Sequence, residues 1–507
     1  MADNSGLIAD ALLRTNPALY ASIDGANSWK SDIKTRGARV AKYRRYVNGE
    51  HDAGMTTQMR NMLRLAVDDA NLSALTANHI PAIVDKMAGR LRVSEIATKD
   101  DAANEWISAL LLYEDFEAKE GMVYRGAIRD GDSYIMVDPR DLNWSCEPAY
   151  DGFSGVVALY GEDDYPVWAC KLWSEADLNL ASEAPGGQVV IKIAVYEPNR
   201  ITYWKGSVNS QTVEPANGVD TPGGFDVTTN IQEWPLGAVP MVHFANLVDN
   251  YTQSGESEVR KAIAPQDVVN RTLHSMVMAS EFAAFGVNWS IGMEVDAEGI
   301  TPGATINLVL QDAQGAVITE MTTEQVAFLN ACRVGQFQAT NISQYTGQLE
   351  HIVKQISWVT QTPIYGVTAD GNLSGEALKQ LEIGLIGKIE RFQQENSAAI
   401  RLLIELTADI QAAFDTGLGD PPELGGISIN WKSPEILDTS VAIAAIISIR
   451  EKAPGLFSDD FLRGRIGSLL GLTQSQIAAE GVAATNMQGR MLDQLTGAAG
   501  NFVNANI

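Results

Sequence analysis

The sequence predicts an α+β fold that is predominantly helical. Three observations carry this. Short β-rich runs bounded by turn residues fall between positions 92 and 245. Apolar stripes at helical spacing cover much of 254–414, and helical patterning returns in the C-terminal part of the chain. At 507 residues the chain exceeds one ordinary core, and ~100–200 residues per domain predicts about three or four units.

Residues 30–45 (KSDIKTRGARVAKYRR) carry seven basic side chains and one acid, on a segment that leads into a turn at Asn48-Gly49. Such a run is a solvated helix face, or it meets an acidic neighbour or a nucleic acid. Over Ala77–Leu91 the apolar residues Ile80, Ile83, Val84, Met87 and Leu91 recur at steps of three and four, and Pro81 suits a first helical turn. Within Gly126–Pro139, Asp130-Gly131 reads as a turn before the β-rich Tyr134–Val137. Asp130 and Asp132 have a spacing that suits a cation, but a tight hairpin turn accounts for them more simply. Strands are expected at Val156–Tyr160, Val167–Trp173, Val189–Tyr196 and Ile201–Trp204, with 206–230 a long loop or hairpin tip.

Ser254–Glu258 is expected to open a long helix reaching about Phe285, followed by a β-rich insert over about 287–320. Thr322 or Thr323 then caps a second long helix to about Thr360, and Thr362–Leu373 is a loop on its Pro and Gly content. Ser374 caps a third helix, to about Phe414, whose stripe is Leu378, Leu381, Leu385, Ile389 and Phe392. A short strand at Ile427–Trp431 and helices at Thr439–Glu451, at Asp459–Leu470 and after Leu472-Thr473 complete the chain.

Hydrophobic residues make up 45% and charged residues 20%, the composition of a globular protein. No apolar run approaches the ~20 residues of a bilayer span, and Met1–Ser5 lacks the features of a secretory signal. The sequence therefore predicts a protein made in the cytoplasm with no membrane partner. Three dispersed cysteines form no disulfide framework, and five dispersed histidines show no metal-ligand spacing. The net charge of −26 is the wrong sign for gripping phosphates, and residues 94–190 hold 20 acidic against six basic side chains. There is no GxxxxGK(S/T), no GxSxG and no strand–GxGxxG–helix unit. No catalytic, cofactor or metal residue is assigned, and a non-enzymatic protein is expected.

Several local sequences share one resemblance. Tyr43–His51 is an aromatic–Gly turn, and Asn78–Val93 follows an N…V…A.RL.V pattern. Gly255–Asn270 (GESEVRKAIAPQDVVN) and Gln361–Leu378 (QTPIYGVTADGNLSGEAL) are the most specific. In this order they resemble the portal proteins of tailed phages, in particular the SPP1-type group. The resemblance implies an N-terminal arm at 1–39, an α+β wing at 40–253, a stem helix at 254–285, a clip at 286–322 and a second stem helix at 323–360. A tunnel loop at 361–373, a long helix at 374–414 and a helical crown at 415–507 follow.

It also implies a ring of about twelve copies at a capsid vertex, with double-stranded DNA in its channel. The implied partners are the terminase large subunit, then head–tail connector proteins, with major capsid and scaffolding proteins around the ring. The DNA-facing candidates in the loop are Ile364, Tyr365, Gly366, Thr368, Asp370, Gly371 and Asn372, a set with one acid and no Lys or Arg. His351 and Lys354 on the preceding helix are candidates for the channel wall, or for an ordinary solvated face. The competing expectation is another viral ring or connector protein without a DNA-translocating bore.

Overall fold

A computed structural model describes residues 4–22, 26–51, 76–138, 142–161, 166–176, 188–209, 231–233, 236–248, 254–284, 288–291, 322–331, 333–336, 341–364, 375–414 and 421–435, with scattered positions between 446 and 466. The chain divides into two units, Met1–Lys432 and Ser433–Ile507.

The first unit begins with α1 (Ser5–Thr15), α2 (Pro17–Ser22) and α3 (Ala26–Val47). They lie against an antiparallel sheet in the order β4 (Gly155–Tyr160), β5 (Pro166–Ala176), β6 (Gln188–Glu197), β7 (Arg200–Asn209) and β8 (Ile231–Glu233). The period-two alternation of a strand decides which residues meet which neighbour. Trp168, Cys170, Leu172, Ile191, Ile193 and Val195 pack with Ile8, Leu12 and Ile33. Ala169, Ala194 and Tyr196, of opposite parity, join the main core. Both faces are thus covered, and the indole N–H of Trp168 donates to Thr15 Oγ1 at 3.1 Å. The N-terminal segment is therefore part of this body's core, where the sequence suggested only an arm.

The main core gathers around a second antiparallel sheet, ordered β3 (Trp144–Pro148), β2 (Asp132–Val137), β9 (Met241–Ala245). Packed on it is α6 (Phe116–Asp130), and α4 (Ile80–Ala88) and α5 (Asp101–Tyr113) pack in turn against α6. The turn expected at Asp130-Gly131 is not a hairpin. It is where α6 stops and β2 begins, with Gly131 at φ 99° as the helix cap. Strand β1 (Val93–Ala97) pairs antiparallel with β12 (Ser428–Trp431), so the C-terminal end of this unit returns to the strand that follows α4.

Helix α10 (Gly375–Ala413) has 39 residues, so it is about 58 Å long. Leu385, Ile389, Phe392, Ile400, Leu403 and Ile404 bury its apolar face, whereas Leu381, in the same sequence stripe, is 41% exposed. Asn396 uses its amide twice, accepting from Ala245 N–H at 3.1 Å and donating to Ala245 C=O at 2.9 Å. It thereby completes the free edge of β9.

Helix α7 (Arg260–Ala284) packs on α9 (Ser343–Val359). The uninterrupted helix expected over 323–360 is resolved instead as α8 (Thr323–Ala331), a strand β11 (Arg333–Gln336) and α9. β11 pairs antiparallel with β10 (Asn288–Ile291), from Asn288 opposite Gln336 to Ile291 opposite Arg333. The interruption has a local cause: Gly335 is a poor helix former and Val334 is β-branched, and just before α9 Asn341 Oδ1 accepts from Ser343 N–H at 3.0 Å. In the second unit Ile446–Ile449 are helical; the helices expected there otherwise lie mostly outside the described residues.

One buried acid makes the fold pH-dependent. Glu120 on α6 is 3% exposed and accepts from Val93 N–H at 3.0 Å, with Arg92 3.6 Å away. Burial pushes its carboxyl up to about 7, against the pull of the Val93 amide and Arg92. The folded chain therefore holds this proton more tightly than the unfolded chain. The contribution is present below the unfolded value near 4.5 and is lost as pH rises through about 7. Glu120→Gln keeps an acceptor for Val93. Thermal unfolding at pH 5 and pH 8 should show the variant close to the parent at the lower pH and about 3 kcal/mol more stable at the higher. A gap independent of pH would contradict this origin.

Candidate functional site

The basic run lies on α3, and its less exposed arginines, Arg36 and Arg44, meet acids of the same chain. Arg44 reaches Asp130 at 2.8 Å and Asp151 at 2.7 Å, and also donates to Ala149 C=O. Arg36 reaches Asp132 at 3.2 Å. Arg129 adds a second cation to Asp130, and His243 Nε2 meets Asp132 at 2.8 Å. The Asp130/Asp132 spacing is therefore taken up by internal cations, and among the described residues no group of His, Cys, Asp and Glu is placed to hold a metal.

The GESEVRKAIAPQDVVN segment holds the start of α7 in place. Before the helix, Ser257 Oγ donates to Arg129 C=O, and Glu258 N–H donates to Ile128 C=O at 3.1 Å. Within it, Gln266 accepts from His79 N–H at 3.0 Å and donates to Ala77 C=O. Asp267 accepts from the Tyr46 hydroxyl at 2.8 Å. Asn270 accepts from Ala77 N–H at 3.0 Å and donates to His51, whose other ring nitrogen meets Tyr46 C=O. The QDVVN residues are thus a polar clamp between α7 and the segments at 46–51 and 77–79. Gln266 and Asn270 are fully buried, and a buried amide must be hydrogen-bonded to be tolerated.

The candidate loop begins at a tightly held root. After α9, Gln361 adopts φ 51° and the chain turns back. Ser357 Oγ donates to Thr362 C=O at 2.8 Å, and Thr362 N–H donates to Ser357 C=O at 3.0 Å. Lys86 on α4 donates to Pro363 C=O, and Lys388 on α10 donates to Thr360 C=O at 2.7 Å. Lys388 also forms an ion pair with Glu258 at 2.7 Å, with side chains 6% and 2% exposed. Arg90 pairs with Glu382 at 2.8 Å beside them. Burial pulls the Lys388 ammonium below its ordinary value, and Glu258 pulls it back up.

Of the loop candidates, Ile364 is buried at this root. Tyr365, Gly366, Thr368, Asp370, Gly371 and Asn372 lie outside the described residues. His351 and Lys354 are both exposed on α9, on a face shared with Gln355 and Trp358. Trp358 is 83% exposed and Ile383 on α10 64%. The sequence reading did not single out Trp358; its offset of four from Lys354 places it on that helical face. It also passed over Lys86, Lys388 and Glu258, which look like ordinary helix charges until the fold brings them together.

Residues 28–465 match the family described as "Phage portal protein, SPP1 Gp6-like". The portal protein of Mycobacterium phage D29 is 23% identical over 378 residues, covering 70% of this chain and 68% of that one. The portal protein of Mycobacterium phage L5 is 26% identical over 369 residues, covering 69% and 67%. Among solved structures, a chain described as "Neck of native GTA particle computed with C12 symmetry" aligns over 81% of this chain and 93% of its own, at 10% identity and a TM-score of 0.38. The molecule is a structural protein of a phage head. It belongs to the SPP1 Gp6-like family of phage portal proteins, the proteins of the capsid vertex through which the genome passes.

Proposed function

We propose that this chain is one subunit of a ring of twelve that packages and later releases double-stranded DNA, with the 361–373 loop, beyond its buried root at 362–364, facing the DNA. The match over 28–465 carries this reading, because it spans the paired helices, the loop and the long helix in one order. Residues 40–253 form the wing. The stem is 254–285 with 323–360, and 286–322 is the clip that meets the terminase large subunit and then the head–tail connector. The crown, 415–507, sits inside the head, and major capsid and scaffolding proteins surround the ring.

The charge supports passage over grip. The loop has one acid and no Lys or Arg, and the whole chain carries −26. A duplex meets sparse cationic neutralisation there, so contact is steric and contributes little binding. Lys354, exposed on the helix before the loop, supplies a cationic contact of the channel wall, with His351 on the same face as a polar one. DNA motion needs an external motor, which the terminase supplies.

A photo-reactive residue in place of Asn372, in rings assembled into heads, tests the loop assignment. Irradiation should give a protein–DNA adduct in filled heads and none in empty ones. Filled heads with intact rings and no adduct would remove the loop from the DNA path.

A further inference from the structure

Three parts of the fold meet at one ammonium group. Lys388 Nζ, on the long helix α10, lies 2.7 Å from Glu258 Oε2 and 2.7 Å from Thr360 C=O, and 3.5 Å from Thr362 Oγ1. Glu258 belongs to the lead-in of α7, and its own N–H is fixed to the last turn of α6 through Ile128 C=O. Thr360 and Thr362 are the root of the loop. The carbonyls of Thr360, Thr362 and Pro363 are taken by Lys388, Ser357 and Lys86 in turn. An ammonium has three donors and no acceptor, so one lysine can hold a carboxylate and a carbonyl together.

We infer that Lys388 is a positioning residue that ties the segment Thr360–Pro363, the root after α9, to the α6–α7 junction, so that the seat of this root follows the setting of that junction. Replacing a buried ion pair with neutral groups is often neutral for stability, whereas removing one partner strands a buried charge. The two contacts of Lys388 can therefore be separated. The consequence for DNA rests on the tunnel-loop reading above; the mechanical tie does not.

The experiment compares the full-length ring with Lys388→Met and with Lys388→Met/Glu258→Gln. It reads thermal unfolding and the hydrogen exchange of the Thr362 and Ile364 amides, whose acceptors are Ser357 C=O and Oγ. The single variant should lose stability. The double variant should recover most of it, yet both amides should exchange at least ~10-fold faster than in the parent, while α6 amides are unchanged. Amide protection that recovers together with stability would overturn the inference, leaving Lys388 as half of an ordinary ion pair. So would exchange that accelerates equally throughout the chain.

DNA retention in filled heads separates this inference from the function on which its consequence rests. A loosened root with altered retention supports both. A loosened root with unchanged retention keeps the tie and rejects the loop as a DNA-contacting element.

Discussion

Gly255→Ala is expected to be among the most damaging single substitutions in the first unit, lowering the melting temperature by about 10 °C or more. A Cβ built on Gly255 would lie 2.0 Å from Gly131 C=O and 2.8 Å from Asn246 C=O. Neither is the tip of a flexible side chain. Three backbone segments interlock there: Asn246 N–H donates to Gly131 C=O at 2.9 Å, and Glu256 N–H to Asn246 C=O at 2.7 Å. Relief of the clash must pull apart the α6–β2 turn, the exit of β9 and the lead-in of α7. Such overpacking costs several kcal/mol where backbone cannot yield. Gly347→Ala is the control, since nothing lies within 4 Å of its Cβ position in α9. Alanine has the higher helix propensity, so that variant should match or slightly exceed the parent. Equal melting of the two variants would show that the 131–255 approach is not tight in solution.

What the sequence made legible divides by range. Helix α10 follows from a stripe at helical spacing, of which Leu385, Ile389 and Phe392 are buried and Leu381 is not, and strands β4–β7 follow from alternation between turn residues. Both patterns are local, so both survive into the structure. The break between α8 and α9 was also local, in Gly335 and Asn341, but apolar residues at helical spacing on either side masked it. The site was less legible because its partners are distant. Arg44 and Asp130 are 86 residues apart, Gln266 and His79 187, and Lys86 and Pro363 277. One sequence read by itself gives no signal for such pairs. The basic run was visible, therefore, while the choice among solvent, acid and nucleic acid was not. The loop was found by composition, and its anchoring cations were not, because a lysine on a helix looks the same whether it faces water or a carbonyl.

Asp132→Ala carries the largest electrostatic effect expected among the described residues. Its carboxylate is almost fully buried and serves three donors: His243 at 2.8 Å, Gly255 N–H at 2.7 Å and Arg36 at 3.2 Å. Burial pushes this carboxyl up; the His243 hydrogen bond and charge, with Arg36 and the Gly255 amide, outweigh it and hold the group below its ordinary value. The folded pKa is therefore depressed. The stability it confers is present above the unfolded value near 3.8 and is lost as pH falls below it. Alanine leaves Arg36 and His243 facing each other across the space of the lost carboxylate, with the Gly255 amide unsatisfied. Breaking a buried pair in this way costs roughly 3–5 kcal/mol. Arg36→Ala should cost less, because His243 and Gly255 still satisfy Asp132. In the double variant the two losses should sum to less than their separate values, since the same contact is counted in both. Denaturant unfolding of the three variants at neutral pH measures this. Strict additivity would place the pair's contribution near zero and transfer the role of Asp132 to its hydrogen bonds with His243 and Gly255 alone.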